Sequence, residues 1–80
     1  MFYTYILKSL KDGKYYYVHS SDISERIKTH NKGKVRATKG RLPVELVYSE
    51  EFETRSEAVK RKLYFKSIEG YNWLKENKII

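Results

Sequence analysis

The side chains able to take part in chemistry are few: His19, His30, eight tyrosines and a scatter of carboxylates. The two histidines stand eleven residues apart and fall on different elements, which is no metal-ligand spacing, so each alone reads as an ordinary surface or core residue. No glycine-rich phosphate cradle, nucleophile elbow or zinc ligand pair is present. The chain has no cysteine, which excludes disulfides, thiolate zinc sites and a thiol nucleophile. What it does offer is positive charge in one place. From Arg26 to Arg41 it carries Arg26, Lys28, Lys32, Lys34, Arg36, Lys39 and Arg41 with no acid among them, whereas Glu45, Glu50, Glu51, Glu53 and Glu57 come later. A charge run is usually a solvated face, but an acid-free block beside an acid-rich one also makes a one-sided field suited to phosphate. Seventeen Lys and Arg against ten Asp and Glu give +7, so an anionic partner is expected, with nucleic acid first.

Elements outlined by the hydrophobic pattern must position these groups. Residues 2–8 alternate as a strand, with Tyr3, Tyr5 and Leu7 on one face and Phe2, Thr4 and Ile6 on the other. Asp12-Gly13 is hairpin chemistry, and residues 15–19 form the return strand. Asp22 with Glu25 reads as a capping box opening a helix to about Asn31, with Ile23 and Ile27 inward and Arg26 and His30 on a neighbouring stripe. Residues 32–43 read as a basic loop, and Val44–Ser49 as a third strand with Val44, Leu46 and Tyr48 on one face. Thr54-Arg55-Ser56-Glu57 caps a longer helix through about Lys66. Its apolar arc holds Ala58, Val59, Leu63 and Phe65, and Lys62 falls anomalously inside that arc with Lys66 beside it. Either Lys62 snorkels, or that face borders a polar site. Gly70 is expected to interrupt the helix, leaving a short one over 71–78 docked through Trp73 and Leu74. The sum is an α+β domain spanning 1–80, a small three-stranded antiparallel or mixed sheet covered by helices.

Eighty residues bury only about 60% of their unfolded surface, so the aromatic content of 15% has to make the core efficient. No apolar run reaches the roughly 18 residues of a membrane span, and the start has no basic n-region or cleavage site. A cytoplasmic protein without membrane contact is the expectation.

Taken together, Tyr5, Tyr16, Arg26 and His30 make this chain resemble the GIY-YIG nuclease family, over roughly residues 3–78 and closest to its small single-domain bacterial branch. The carrying segments are Tyr3-Thr4-Tyr5-Ile6-Leu7, Asp12-Gly13, Tyr16-Tyr17-Val18, Asp22-Ile23-Ser24-Glu25-Arg26, His30-Asn31, Pro43-Val44-Glu45-Leu46-Val47-Tyr48 and Thr54-Arg55-Ser56-Glu57-Ala58. The resemblance implies metal-assisted hydrolysis of a DNA phosphodiester with Mg²⁺ or Mn²⁺. It makes Tyr5 and Tyr16 the motif tyrosines, Arg26 the phosphate clamp and His30 a proton-transfer residue. Nucleic acid would be met by Lys28, Lys32, Lys34, Arg36, Lys39, Arg41, Lys62 and Lys66.

Two positions depart from the family. The glycine of the second motif is Val18, and the metal-binding glutamate aligns with Lys62, whose ammonium has no lone pair for a hard cation. Glu57 lies about 140° around the helix and Glu69 two turns away, so neither replaces it. Three readings stay open: a metal-dependent endonuclease that tolerates these changes, a nucleic-acid-binding module without efficient cleavage, and a small interaction domain. Tyr5, Tyr16, Arg26, His30 and Lys62 are expected to converge on one concave face.

Overall fold

The computed structural model describes residues 1–36 and 38–80, and residue 37 of the basic segment lies outside the described residues. Strand β1 (Phe2–Ser9) runs into a turn and returns as β2 (Tyr15–Ser20). The Ser9 amide donates to the Lys14 carbonyl at 2.8 Å and the Gly13 amide to the Ser9 carbonyl at 2.9 Å. Gly13 takes φ +74° there, a left-handed conformation without penalty for a residue lacking Cβ. Strand β3 (Val44–Phe52) pairs with the other side of β1, so the order is β2-β1-β3 and both pairings are antiparallel. Helices α1 (Ile23–Asn31), α2 (Arg55–Phe65) and α3 (Ile68–Glu76) complete the α+β fold.

The central strand supplies both cores. Tyr5 and Leu7 join Val44 on one face, against Ile23 and Ile27 of α1. Ile6 points the other way, into Phe65 of α2 and Leu74 of α3. Thus α1 covers one face of the sheet and α2 with α3 the other. The alternation expected along β1 holds, but that of β3 does not. Ile6 pairs with Tyr48 and Leu7 with Leu46, so a bulge falls at Val47. Its extra residue resets the pleat. Val44 therefore packs with Tyr5 and Leu7, while Val47 and Tyr48 both pack with Ile6.

Helix α2 also departs from its expected arc. Ala58 and Phe65 are buried, yet Leu63 is 58% exposed. Arg61 takes the inward place instead. Its guanidinium lies 4.9, 4.7 and 4.6 Å from the ring centroids of Tyr64, Phe65 and Trp73. Two of its nitrogens donate to Glu50, at 2.7 and 3.2 Å, and Tyr48 donates to the same carboxylate at 2.5 Å. Burial, and then the bond to Glu50, push the Tyr48 phenol up to about 12. A planar cation between aromatic faces and a carboxylate fills the slot that an aliphatic residue was expected to hold.

The chain's punctuation follows the sequence with two exceptions. Asp22 caps α1 by accepting from the Glu25 amide at 3.0 Å, but its own amide bonds the Ser20 hydroxyl, so the box is not reciprocal. Thr54 and Glu57 do form a full capping box. Gly70 does not break a helix; it lies inside α3, which Ser67 caps. A Cβ there would stand 1.8 Å from the Tyr64 carbonyl oxygen and 2.8 Å from Phe65 Cα, so glycine is what lets α3 close onto the end of α2. The basic loop, which contains a 3₁₀ turn at Lys39–Arg41, is drawn shut at its base. Asn31 accepts from the Val44 amide at 2.9 Å and donates to its carbonyl at 3.3 Å. The Ser9 hydroxyl donates to the Arg41 carbonyl at 2.6 Å. No helix among the described residues is long and apolar enough to cross a membrane.

Gly70→Ala should lower stability by about 2–3 kcal/mol, because the new methyl forces backbone apart. Gly40→Ala, with nothing within 4 Å of its Cβ, should stay within about 0.5 kcal/mol of the parent. Urea midpoints of the two variants test this, and equal midpoints would contradict the close approach.

Candidate functional site

Strand β2 forms one of the two edges of the sheet, and its alternation sends side chains to both faces. Tyr16 and Val18 pack toward Tyr5 and α1, while Tyr17 packs toward Ile6 and Phe65. His19 is the register partner of Thr4, whose hydroxyl donates to the Ala58 carbonyl of α2 at 2.6 Å. His19 therefore faces α2. Two cavities flank this strand. One, of about 300 Å³, is lined by Tyr15 to Val18, Arg26, His30, Val35, Thr38 and Lys66. The other, of about 290 Å³, is lined by Phe2, His19, Ser20, Ser21, Arg26 and Arg55. Arg26 belongs to both, and among the described residues no acid lines either.

Four buried polar atoms lack a hydrogen-bond partner among the described residues: the Tyr5 and Tyr16 hydroxyls, His30 Nε2 and His19 Nδ1. Tyr16 and His19 belong to this edge strand, Tyr5 to the strand beside it, and His30 to α1, which covers them. Leaving such an atom unpaired costs about 1–3 kcal/mol, so native interiors rarely tolerate several together. The Tyr5 hydroxyl has Arg26 beside it and the Tyr16 hydroxyl has Arg41, yet neither makes a formed hydrogen bond, so these groups are available to a polar ligand.

Electrostatics sharpen the picture. The Arg26 guanidinium lies beside the Tyr5 hydroxyl without the alignment of a formed hydrogen bond. Burial raises the Tyr5 phenol above its ordinary value, and Arg26 offsets part of the rise. Burial and then Arg26 hold the His30 imidazole below 6.5. Its Nδ1 lies 2.8 Å from the Thr38 hydroxyl oxygen, and that hydroxyl points its hydrogen toward the Val35 carbonyl at 3.5 Å. This arrangement favours the tautomer with hydrogen on Nδ1 and a lone pair on Nε2. His19 is held low by burial, then by Lys62, Arg55 and Arg26. Lys62 is itself lowered, by burial and then by Lys66 one turn on.

The structure gathers Tyr5, Tyr16, Arg26 and His30 on the α1 side of the sheet. It does not put Lys62 on that face, because α2 packs against the opposite one. The expectation of one concave face is corrected accordingly. The two basic groups meet around the edge strand: a single strand separates them, and His19 lies in the field of both Arg26 and Lys62. Lys66 reaches the first cavity from the α2 side. In the basic segment Lys28, Lys32, Lys34, Arg36, Lys39 and Arg41 are exposed. Arg41 is bound to Asp12 at 2.8 Å, so its charge is locally compensated.

Sequence reasoning missed three contributors. By sequence His19 reads as an ordinary residue, Arg55 only as part of a cap, and Thr38 as loop. Strand alternation could have placed His19 opposite Tyr16. Nothing local signals that Thr38 reaches His30 across eight residues. The donor set does not suit the divalent metal implied by the resemblance. Lys62 offers an ammonium, and no cluster of three or more His, Asp or Glu able to hold an ion exists among the described residues.

Both histidines are held below 6.5 in the fold. The unfolded chain therefore binds more protons than the native one at mildly acid pH, and stability rises with pH there. This contribution is present above the unfolded value and is lost as pH falls through the folded values. The urea midpoint should drop between about pH 7.5 and about pH 5, and His30→Gln should flatten the slope. An identical slope in that variant would contradict the burial of His30.

Comparison with known proteins agrees with this architecture. Residues 1–78 match the family model of the GIY-YIG catalytic domain. A UPF0213 protein of Staphylococcus saprophyticus is 46% identical over 74 residues, covering 91% of this chain and 89% of that protein. A UPF0213 protein of Bacillus licheniformis is 44% identical over 71 residues, covering 88% of this chain and 72% of that protein. The solution NMR structure of a UPF0213 protein from Bacillus halodurans superposes with a TM-score of 0.55 at 35% identity, over 98% of this chain and 86% of that one. By these matches the chain belongs to the GIY-YIG family, among the bacterial UPF0213 proteins.

Proposed function

We propose that this chain is a nuclease-like domain that grips the phosphodiester backbone of nucleic acid, DNA first, at the β2 edge, with metal-dependent cleavage very weak or lost. The observation that carries this reading is the group of unpaired buried atoms, Tyr5 OH, Tyr16 OH and His30 Nε2, beside Arg26 and an acid-free cavity. A guanidinium fork matches two phosphoryl oxygens. The tyrosine hydroxyls can donate to the same group. His30, neutral near pH 7 with its Nε2 lone pair free, can accept a proton from an approaching nucleophile. The exposed Lys28, Lys32, Lys34, Arg36 and Lys39 would neutralise neighbouring phosphates, which fixes position without reading sequence. Such a protein would meet its DNA in the cytoplasm.

The weak-cleavage half of the proposal rests on Lys62. Its ammonium can neutralise one phosphate charge, but it cannot polarise a phosphoryl oxygen as a divalent Lewis acid does. Val18 adds a β-branched side chain to the wall of the first cavity, where the family has glycine.

Filter retention of a DNA duplex should show log affinity falling with log salt, at about 0.9 per neutralised phosphate. Charge reversal by Lys32→Glu, Lys34→Glu and Lys39→Glu should flatten that line, and an unchanged slope would place the binding surface elsewhere. In plasmid nicking the unaltered chain should show little activity with Mg²⁺ or Mn²⁺. Lys62→Glu should create cleavage, and Val18→Gly added to it should increase the rate. Robust Mg²⁺-dependent nicking by the unaltered chain, lost on Tyr5→Phe or Arg26→Ala, would overturn the weak-cleavage assignment.

A further inference from the structure

The second cavity lies on the α2 side of the strand end, and of the groups assigned to phosphate above only Arg26 reaches it. Its walls are Phe2, His19, Ser20, Ser21, Arg26 and Arg55. Three cationic side chains bear on His19, namely Lys62 and Arg55 from α2 and Arg26 from α1. Thr4 faces it from β1, with its hydroxyl hydrogen committed to Ala58. The only acid in that cross-strand row is Glu50, which is held by Arg61. Among the described residues, no carboxylate pairs with Arg26, Arg55 or Lys62. Like charges gathered without a counter-charge repel one another, and burial of the histidine between them strengthens that repulsion. Arg55 is also held in place, its guanidinium carbon 5.6 Å from the centroid of the Phe2 ring. The buried Nδ1 of His19 remains without a partner. A preorganised, acid-free pocket of this kind calls for a compact anion with several acceptor oxygens.

We propose that this cavity is a second phosphate subsite, in which Arg55, His19 and Arg26 hold a phosphate next to the one in the first cavity. The assignment rests on the nucleic-acid reading above and deepens it. Arg26 lines both cavities, so two phosphates held there lie on one strand, whose backbone carries one charge per about 3.4 Å of axis. Two sources share this chemistry: an internal phosphodiester and the phosphomonoester at a strand end. The anion counters the three cations, so His19 takes up a proton more readily when the subsite is filled. Binding at this subsite therefore strengthens as pH falls.

The decisive experiment titrates the full-length chain with inorganic phosphate while following the imidazole signals of His19 and His30 by NMR. Saturable movement of the His19 signals is expected, with affinity rising about threefold or more from pH 7.5 to pH 6. Arg55→Gln should weaken this response at least about fivefold, and Arg55→Lys should retain most of it. Arg55 is exposed at the first position of α2, so both variants should keep the fold, and unchanged His30 signals verify this. Movement confined to His30, or phosphate affinity unaltered by Arg55→Gln, would overturn the subsite. Single strands with and without a 5′-phosphate then separate the sources. A loss in Arg55→Gln limited to phosphorylated strands assigns the strand end, and an equal loss for both assigns the internal diester. No loss for either would overturn the proposal. If no strand binds even the unaltered chain, the function proposed above fails, while the inorganic-phosphate titration still decides the subsite.

Discussion

Burial of β1 on both faces is the constraint from which the rest of the molecule follows. Tyr5, Ile6 and Leu7 are each fully buried, although they point alternately to opposite sides. A sheet of three strands cannot bury such a run alone, so each face needs its own helical cover. One face receives α1, with Ile23 and Ile27. The other receives α2 and α3, with Phe65 and Leu74. The two covers bring their polar flanks to the same edge of the sheet. At β2 a single strand separates α1 from α2, and there the unpaired hydroxyls, imidazoles and guanidiniums collect.

The second cover is made in an unusual way. Among the described residues of α2 only Ala58 and Phe65 are buried, too little apolar surface to hold a helix by itself. Arg61 supplies the remainder, with aromatic rings around its guanidinium and the Glu50 carboxylate in a fork. Both side chains of that pair keep some contact with solvent, 27% and 20% exposed, which moderates the desolvation penalty. The network also fixes which charges are free. Glu50 is the only acid in the row that contains His19, and binding it to Arg61 leaves the cations around His19 uncompensated. A packing solution on β3 thereby conditions the electrostatics of the opposite edge.

A similar division runs through the loop between α1 and β3. Asn31 mimics a strand neighbour for Val44, and Ser9 ties down Arg41, so the basic segment leaves and re-enters the fold at fixed points. Thr38 comes back from that segment to His30 and bonds Nδ1. The charged loop is thus coupled through one hydroxyl to the imidazole at the first cavity, and loop placement and the histidine's tautomer are set together.

The sequence by itself determined the elements and most of their ends. Strand alternation at 2–8, Asp-Gly at the turn, the caps at Asp22 and Thr54 and the acid-free block from Arg26 to Arg41 are all local signals, written within a few residues of the structure they produce. That Tyr5, Tyr16, Arg26 and His30 gather on one side of the sheet was also legible, because their order along the chain resembles a family pattern. Other features were decided only by the tertiary structure. The bulge at Val47 is a pairing event between two strands and has no composition of its own. Gly70 reads locally as a breaker, but the close approach of α3 to the Tyr64 carbonyl makes it a packing residue. Leu63 yields its inward place to Arg61 because of partners on β3 and α3. The same holds for the site: which face a residue addresses depends on which helix covers which side of β1. That is why Lys62, His19 and Arg55 meet Arg26 around an edge instead of across one face.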